Sequence, residues 1–449
     1  MKRKIYDKLL DWKTKSNGTS ALLIQGARRT GKSYIAEEFG KNEYKSCILL
    51  DFNLASREVK DLFLYDINDL NTFFLKLSAL FNTRLYERDT LIILDEVQLF
   101  PRARSVIKYL VKDGRYDYME TGSLISIKKN TDGILIPSEE DHIDMFPMDF
   151  EEFLWALGED TMSETIKTCF EKKIPLGQAL HRKAMNLFRQ YLIIGGMPQP
   201  IQSFIDTHDF EQVDRIKRRI LNLYRDDIQK HADDPVKVTA IFDEIPSQLR
   251  NQNRHFKLSS LKDGARYDEF KDPLFWLSDA MIVNNCYNVY EPNYGLRMNQ
   301  DRRIFKCYMG DTGLLISHSF DENEIISDSV YKKLLLDKLE VNMGMVIENV
   351  VAQMLRRSGH KLYFYVNHDR DNKEERMEID FLTAKSNITD RHNICPIEVK
   401  SGKNYTLSSI KKFIKKFKTQ LDVPYILHTG DLKTEDGFVY LPLYMASLI

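Results

Sequence analysis

Eight consecutive residues, Gly26-Ala27-Arg28-Arg29-Thr30-Gly31-Lys32-Ser33, fit the pattern G-x-x-x-x-G-K-[ST]. The chemistry this spacing supports is phosphate binding. Backbone N–H groups of such a loop wrap a β-phosphate, and the helix that follows presents its positive end to it. Lys32 would reach the β- and γ-phosphates, and Ser33 would offer a hydroxyl to Mg²⁺. Gly26 through Ser33, with Tyr34 just beyond, are therefore the expected contacts of a nucleoside triphosphate such as ATP.

A second group of residues suits the same reaction. The apolar run Leu91-Ile92-Ile93-Leu94 ends in Asp95-Glu96. Asp95 would hold the magnesium and Glu96 would polarise the attacking water. Phosphoryl transfer requires this pairing of charge neutralisation with a positioned nucleophile. Thr121 or Ser123, in Glu120-Thr121-Gly122-Ser123, could sense the γ-phosphate, or equally cap the next helix.

The C-terminal quarter carries a separate constellation. Glu378-Ile379-Asp380-Phe381-Leu382 and Pro396-Ile397-Glu398-Val399-Lys400 both read as strands. Alternation puts Glu398 and Lys400 on one strand face. Asp380 and Glu398 on neighbouring strands would make an oxygen-ligand site for Mg²⁺, with Lys400 orienting or deprotonating a water. Glu348, in a helical stretch upstream, is a further acidic contributor. Ordinary edge-strand charges would have the same appearance. In Ser408 to Leu421, the residues Ile410, Phe413, Ile414, Phe417 and Leu421 recur at helical spacing. Lys411, Lys412, Lys415, Lys416 and Lys418 lie mostly elsewhere around that helix, as a nucleic-acid contact or as a solvated outer face.

These residues need elements to hold them. The run Ala21 to Ile24 leads into the glycine loop and a helical pattern, Tyr34 to Phe39, leaves it. Cys47 to Phe52 and Tyr116 to Glu120 read as further strands. Helical patterns at Val59 to Leu64, Asp69 to Phe81 and Arg104 to Val111 separate the strands. Alternating strand and helix predicts a parallel α/β sheet with its acidic residues at strand C-termini, where ligands bind. From Pro235 onward, three helices are predicted: Val238 to Leu249, one opening at Ser259-Ser260-Leu261, and one starting at Pro273. A hairpin of Cys286 to Tyr290 and Ile304 to Met309 follows. Helices and then a hairpin form the pattern of a winged helix. Arg297, Arg302, Arg303 and Lys306 would then lie on or near the wing, within reach of DNA phosphates. A protein-binding module would have the same pattern.

Composition bounds the rest. A chain of 449 residues is too long for one core, and its formal net charge of −1 argues neither for nor against nucleic acid. The five cysteines form no C-x-x-C pair, which excludes a zinc pattern and favours free thiols. The basic start, Met1-Lys2-Arg3-Lys4, has no apolar core behind it, and no apolar run is long enough to span a membrane. The expectation is a cytoplasmic protein.

In combination, the glycine loop, the Leu94-Asp95-Glu96-Val97-Gln98 segment and the Thr121-Gly122-Ser123 turn resemble a prokaryotic branch of the AAA+ ATPases. The match continues through Phe146-Pro147-Met148-Asp149-Phe150 and Gly195-Gly196-Met197-Pro198. This is the AAA-14 type joined to domain of unknown function 4143. The resemblance implies an α/β multidomain chain. Its expected parts are a P-loop AAA+ parallel-sheet core with Walker A and Walker B motifs (1–149), a helical lid (150–234), a winged-helix middle domain (235–335) and a C-terminal α/β domain (336–449). An arginine supplied in trans often completes such sites; Arg225, Arg28 and Arg29 are available, and each is equally readable as a surface arginine. The last domain resembles the PD-(D/E)xK, restriction-endonuclease-like nucleases, with Glu348, Asp380, Glu398 and Lys400 at the motif positions. Met377-Glu378-Ile379 replaces the usual proline lead-in. Two functions follow as expectations. One is an ATPase coupled to binding or metal-dependent cleavage of DNA or RNA. The other is an ATP-controlled switch or scaffold that forms homo-oligomers or binds a protein partner, with an idle nuclease-like domain.

Overall fold

The computed structural model describes residues 1–122, 138–251, 254–293, 295–320, 343–367, 372, 375–384, 393–402 and 404–449. Two compact units form: Lys2–Phe146 with Asp279–Met281, and Pro147–Ser278 with Ile282–Ile449.

In the first unit, β1 (Ala21–Gln25), β2 (Ser46–Asp51), β3 (Thr90–Asp95), β4 (Asp117–Gly122) and β5 (Glu140–Asp144) make a five-stranded sheet in the order β2-β3-β4-β1-β5. Every pairing is parallel. The apolar run of β3 is buried along its whole length, as a strand covered on both faces must be. Leu91 and Ile93 pack with Leu22 and Ile24 against the helices Ile5–Ser16 and Lys32–Glu43, through Leu9, Trp12, Ile35 and Phe39. Ile92 and Leu94 face the other way, onto Phe63, Phe73 and Leu110. β5 has the sequence Glu140-Asp141-His142-Ile143-Asp144, which carries no apolar alternation and is absent from the sequence prediction. Its register against β1, from Ala21–Glu140 to Gln25–Asp144, makes it an edge strand, where polar residues are tolerated.

The second unit opens with five helices, Phe150–Ala156, Asp160–Lys172, Gln178–Ile194, Pro198–Thr207 and Phe210–His231. The first starts on a capping box of Asp149 and Glu152. Pro235–Arg250 and Tyr267–Asp279 follow; the stretch at Ser259-Ser260-Leu261 is a short 3₁₀ turn, Leu258–Ser260, and opens no helix.

Eight strands then form one mixed sheet: β6 (Val283–Val289), β7 (Gln300–Met309), β8 (Tyr363–Asn367), β9 (Met377–Ala384), β10 (Ile394–Val399), β11 (Tyr425–His428), β12 (Lys433–Glu435) and β13 (Phe438–Pro442), ordered β12-β13-β11-β10-β9-β8-β6-β7. The hairpin read as a wing is β6 and β7. It enters this sheet because β6 pairs in parallel with β8, Tyr287 opposite Tyr363 and Asn288 opposite Phe364. The boundary expected at 234/235 lies within this compact unit, and the one expected at 335/336 lies outside the described residues. Buried polar contacts tie its parts together. Arg357 donates to Glu152 Oε1 at 3.0 Å, and Gln353 Nε2 donates to the Tyr191 hydroxyl at 3.1 Å. The helix Met343–Arg357 is buried on every side from Met345 to Leu355, as an element packed between neighbours must be. Among the described residues, no helix is long and apolar enough to cross a membrane.

Candidate functional site

The strand order sets three C-terminal strand ends side by side: β3 with Asp95, β4 with Thr121 and β1 with the glycine loop. Gly26 lies so close to the chain after β5 that a Cβ there would sit 2.3 Å from the Met145 carbonyl oxygen. Gly31 caps the helix Lys32–Glu43 at φ 96°, in the left-handed region that glycine enters at least cost. Lys32 is buried, and its Nζ donates to the carbonyls of Gly26 and Ala27 at 3.1 Å each. Thr30 Oγ1 donates to Ala27 O at 2.9 Å. Arg28, Arg29 and Tyr34 are exposed, Arg29 with a left-handed φ of 69°.

Beneath the loop, two hydroxyls converge on one carboxylate. Ser33 Oγ donates to Asp95 Oδ1 at 2.7 Å, and Thr121 Oγ1 donates to the same oxygen. This donor set fits Mg²⁺: a hydroxyl and a carboxylate, both hard oxygen ligands, already adjoin. Glu96 follows in a left-handed turn, φ 53°, and accepts from Gln98 Nε2. Ser123 lies outside the described residues. A residue that the sequence reading does not name also holds the site: Arg3 donates to Thr30 O at 3.0 Å and to Phe146 O at 2.7 Å. Arg3 thereby ties the loop to the chain after β5, a contact between positions 27 and 143 residues apart that no local pattern reveals.

In the second unit, β9 and β10 are antiparallel neighbours, and Val399 N donates to Asp380 Oδ2 at 2.8 Å. Asp380 is thus fixed beside the Glu398-Val399-Lys400 segment. Lys400 Nζ pairs with Glu398 Oε2, and Glu398 Oε1 is buried without a partner among the described residues. Burial, and then the charge of Asp380, push the Glu398 carboxyl up to about 7, against the pull of Lys400. An orphaned carboxylate oxygen beside a second carboxylate fits a divalent cation. Glu348 turns elsewhere. It is 1% exposed and engages Lys306 Nζ at 3.1 Å, the Tyr308 hydroxyl and the Arg254 guanidinium. Among the described residues, no group of three or more His, Cys, Asp and Glu side chains is spaced to hold a metal. Two carboxylates and a lysine come together; Glu348 faces cations of its own.

Lys306, read from the sequence as a wing residue near DNA phosphates, is 1% exposed and cannot reach a duplex. Glu348 and Glu378 hold it inward. Arg303 pairs with Asp301 at 3.2 Å, and Arg302 lies over the Phe275 ring. Arg225 pairs with Asp243 at 3.2 Å. The lysine-rich helix, Ser408–Phe417, buries Ile410 and Phe413, sets Phe413 and Phe417 against Tyr365, and leaves Lys411 and Lys415 exposed.

With this geometry described, three family models match the chain. Residues 18–154 match an AAA domain, the AAA_14 model; residues 343–445 match DUF4143 and residues 185–324 match DUF8612, both domains of unknown function. The chain therefore carries an AAA-type, ATP-binding domain at its N-terminal end and a DUF4143 domain at its C-terminal end. No curated protein matches it. Among solved structures it is similar to the Walker-type ATPase PABY2304 of Pyrococcus abyssi, at 12% identity over 71% of this chain and 95% of that one, TM-score 0.42. It is also similar to a structure of Drosophila ORC bound to DNA, at 12% identity over the same shares, TM-score 0.29. At these scores neither likeness carries an inference; ATP binding rests on the domain match and the loop.

Proposed function

We propose that this protein hydrolyses ATP at the glycine loop and couples the turnover to binding and metal-dependent cleavage of nucleic acid at the DUF4143 domain. In the first site, the loop amides and Lys32 bind and orient the triphosphate. Ser33 and Asp95 would hold Mg²⁺, which supplies charge neutralisation on the phosphate oxygens. Glu96 polarises the attacking water, and Thr121 orients Asp95 and senses the terminal phosphate. The convergence of Ser33 and Thr121 on Asp95 supports this reading.

At the second site, Asp380 and Glu398 would hold a divalent cation, whose Lewis acidity phosphodiester hydrolysis uses. Lys400 orients the attacking water and can take its proton. The element order supports a PD-(D/E)xK-like reading: helix Met343–Arg357, β8, β9, β10, helix Ser408–Phe417, β11, with Asp380 on β9 and Glu398 on β10. The observation that carries cleavage is the buried Glu398 oxygen, unpartnered among the described residues, next to Asp380. Exposed Lys411 and Lys415 would meet the nucleic-acid backbone.

The test is cleavage of labelled DNA and RNA, single- and double-stranded, with Mn²⁺ and ATP. Glu398→Gln is expected to lower cleavage about 100-fold or more while ATP turnover continues. Cleavage by Glu398→Gln at the wild-type rate contradicts the assignment. A second reading, an ATP-controlled switch or scaffold with an idle nuclease-like domain bound to a protein partner, is favoured by the ion pairs that occupy Glu348.

A further inference from the structure

The charges around Asp380 do not all come from the DUF4143 match at 343–445. Phe256 N donates to Phe305 O at 2.8 Å, which lays the segment carrying Arg254 and His255 along β7. β7 itself supplies Lys306 and Tyr308. Lys306 Nζ sits 3.1 Å from Glu348 Oε1 and 2.9 Å from Glu378 Oε1, almost wholly buried. Arg254 takes the other oxygen of Glu348, and His255 Nε2 lies 3.6 Å from Glu378 Oε1.

Four carboxylates thus fall into two pairs. Glu348 and Glu378 share one buried ammonium. Asp380 and Glu398, the first of them two residues along β9 from Glu378, share none between them. Asp380 accepts from a backbone amide, and Glu398 keeps one oxygen buried and unpartnered among the described residues. An ammonium at hydrogen-bond distance from two carboxylates gives them what a bridging metal ion would, with no ion to dehydrate.

We propose that Lys306 is a built-in cation standing in the second cation position of this site, so that the site takes one divalent ion, at Asp380 and Glu398, and not two. The proposal rests on the reading of Asp380, Glu398 and Lys400 as a metal-dependent site. It also makes the site composite, because Arg254 and Lys306 lie within the separate DUF8612 match at 185–324. Charge supports one ion. With all four carboxyls ionised and Lys400 protonated, Glu348, Glu378, Asp380 and Glu398 face three cations, Arg254, Lys306 and Lys400, which leaves at most one negative charge in excess. One divalent ion leaves the cluster slightly positive. A second would add two more charges of the same sign where screening is weak.

Bound Mn²⁺ counted by electron paramagnetic resonance tests this, using the full chain carrying Asp95→Asn, without nucleotide, so that the C-terminal site alone is read. One ion per chain is expected, with affinity lowered about tenfold or more by Asp380→Asn. Lys306→Met combined with Arg254→Met removes the ammonium and the guanidinium from Glu348 and Glu378, leaving Tyr308 and His255 beside them, and is expected to raise the count to two. Two ions in the parent chain, or one in a cooperatively melting double variant, overturns the proposal. Should the double variant not fold, Glu378→Gln decides. Glu378 belongs to the half of Lys306, so affinity is expected to stay within about threefold, and a loss of about tenfold or more contradicts the proposal. No Mn²⁺ uptake by the parent chain overturns both the proposal and the metal-dependent reading beneath it.

Discussion

At the scale of single residues, the proposed ATP site gives two neighbouring carboxylates different surroundings. Asp95 receives two hydroxyls, whereas Glu96 is turned aside by its left-handed φ and held by Gln98. Their roles should separate on substitution. If Glu96 polarises the attacking water as proposed, Glu96→Gln is expected to bind ATP with little change and to release phosphate about 100-fold more slowly. Phosphate release at the wild-type rate would show that another residue does that work. That the loop and Asp95 would adjoin was legible in the sequence, since both are local patterns at the ends of buried strands. Arg3 was not, because its partners Thr30 and Phe146 are remote in sequence. Removing it in Arg3→Met leaves two carbonyls without a charged donor, an expected loss of about 1–3 kcal/mol in unfolding free energy, read by urea titration. The roles of Glu348 and Lys306 were hidden for the same reason: an acid on a helix and a lysine on a strand pair only through the fold.

At the scale of elements, apolar runs announced β1 and β3, and amphipathic spacing announced Leu70–Leu80 and Ser408–Phe417. β5 escaped because an edge strand needs no apolar alternation, and the Leu258–Ser260 turn shows that a serine pair does not by itself open a helix. The hairpin β6–β7 was recognised as a hairpin, but local sequence carries no information that β6 would pair with β8, more than seventy residues later. The helix Phe210–His231 makes a further prediction. It buries Lys217 completely, with Nζ donating to Ile193 O at 2.9 Å, and burial pulls the lysine pKa down to about 8, with Asp214 and Asp311 opposing the shift. The unfolded chain, with an ordinary lysine pKa near 10.4, binds more protons than the folded one between those values. Stability contributed by this group therefore rises as pH increases from about 8 to about 10.4, by roughly 3 kcal/mol at most. Urea unfolding at pH 7.5 and pH 10 should show that gain in the wild type relative to Lys217→Met. Parallel pH dependence in the two proteins would contradict it.

At the scale of the whole molecule, a near-neutral chain carries an AAA-type domain and, far along the sequence, a carboxylate–lysine cluster on a different sheet. Composition says neither whether the second sheet recognises a ligand nor whether the two ends are coupled, because these depend on local surfaces and on coupling free energies. If nucleotide state governs the second site, two variants should diverge. Glu96→Gln, which holds ATP, is expected to cleave nucleic acid at a rate differing about fivefold or more from Lys32→Ala, which does not hold it. Equal rates would mean that the two sites work independently.

The ATPase reading, and any coupling to the second site, depends on the glycine loop holding a nucleotide. The direct measurement is isothermal titration of ATP with Mg²⁺ into the folded full chain, beside Lys32→Ala. One ATP per chain is expected, with affinity falling about tenfold or more in Lys32→Ala as the buried ammonium is lost. No ATP uptake by well-folded wild-type protein, or equal uptake by both proteins, would contradict it.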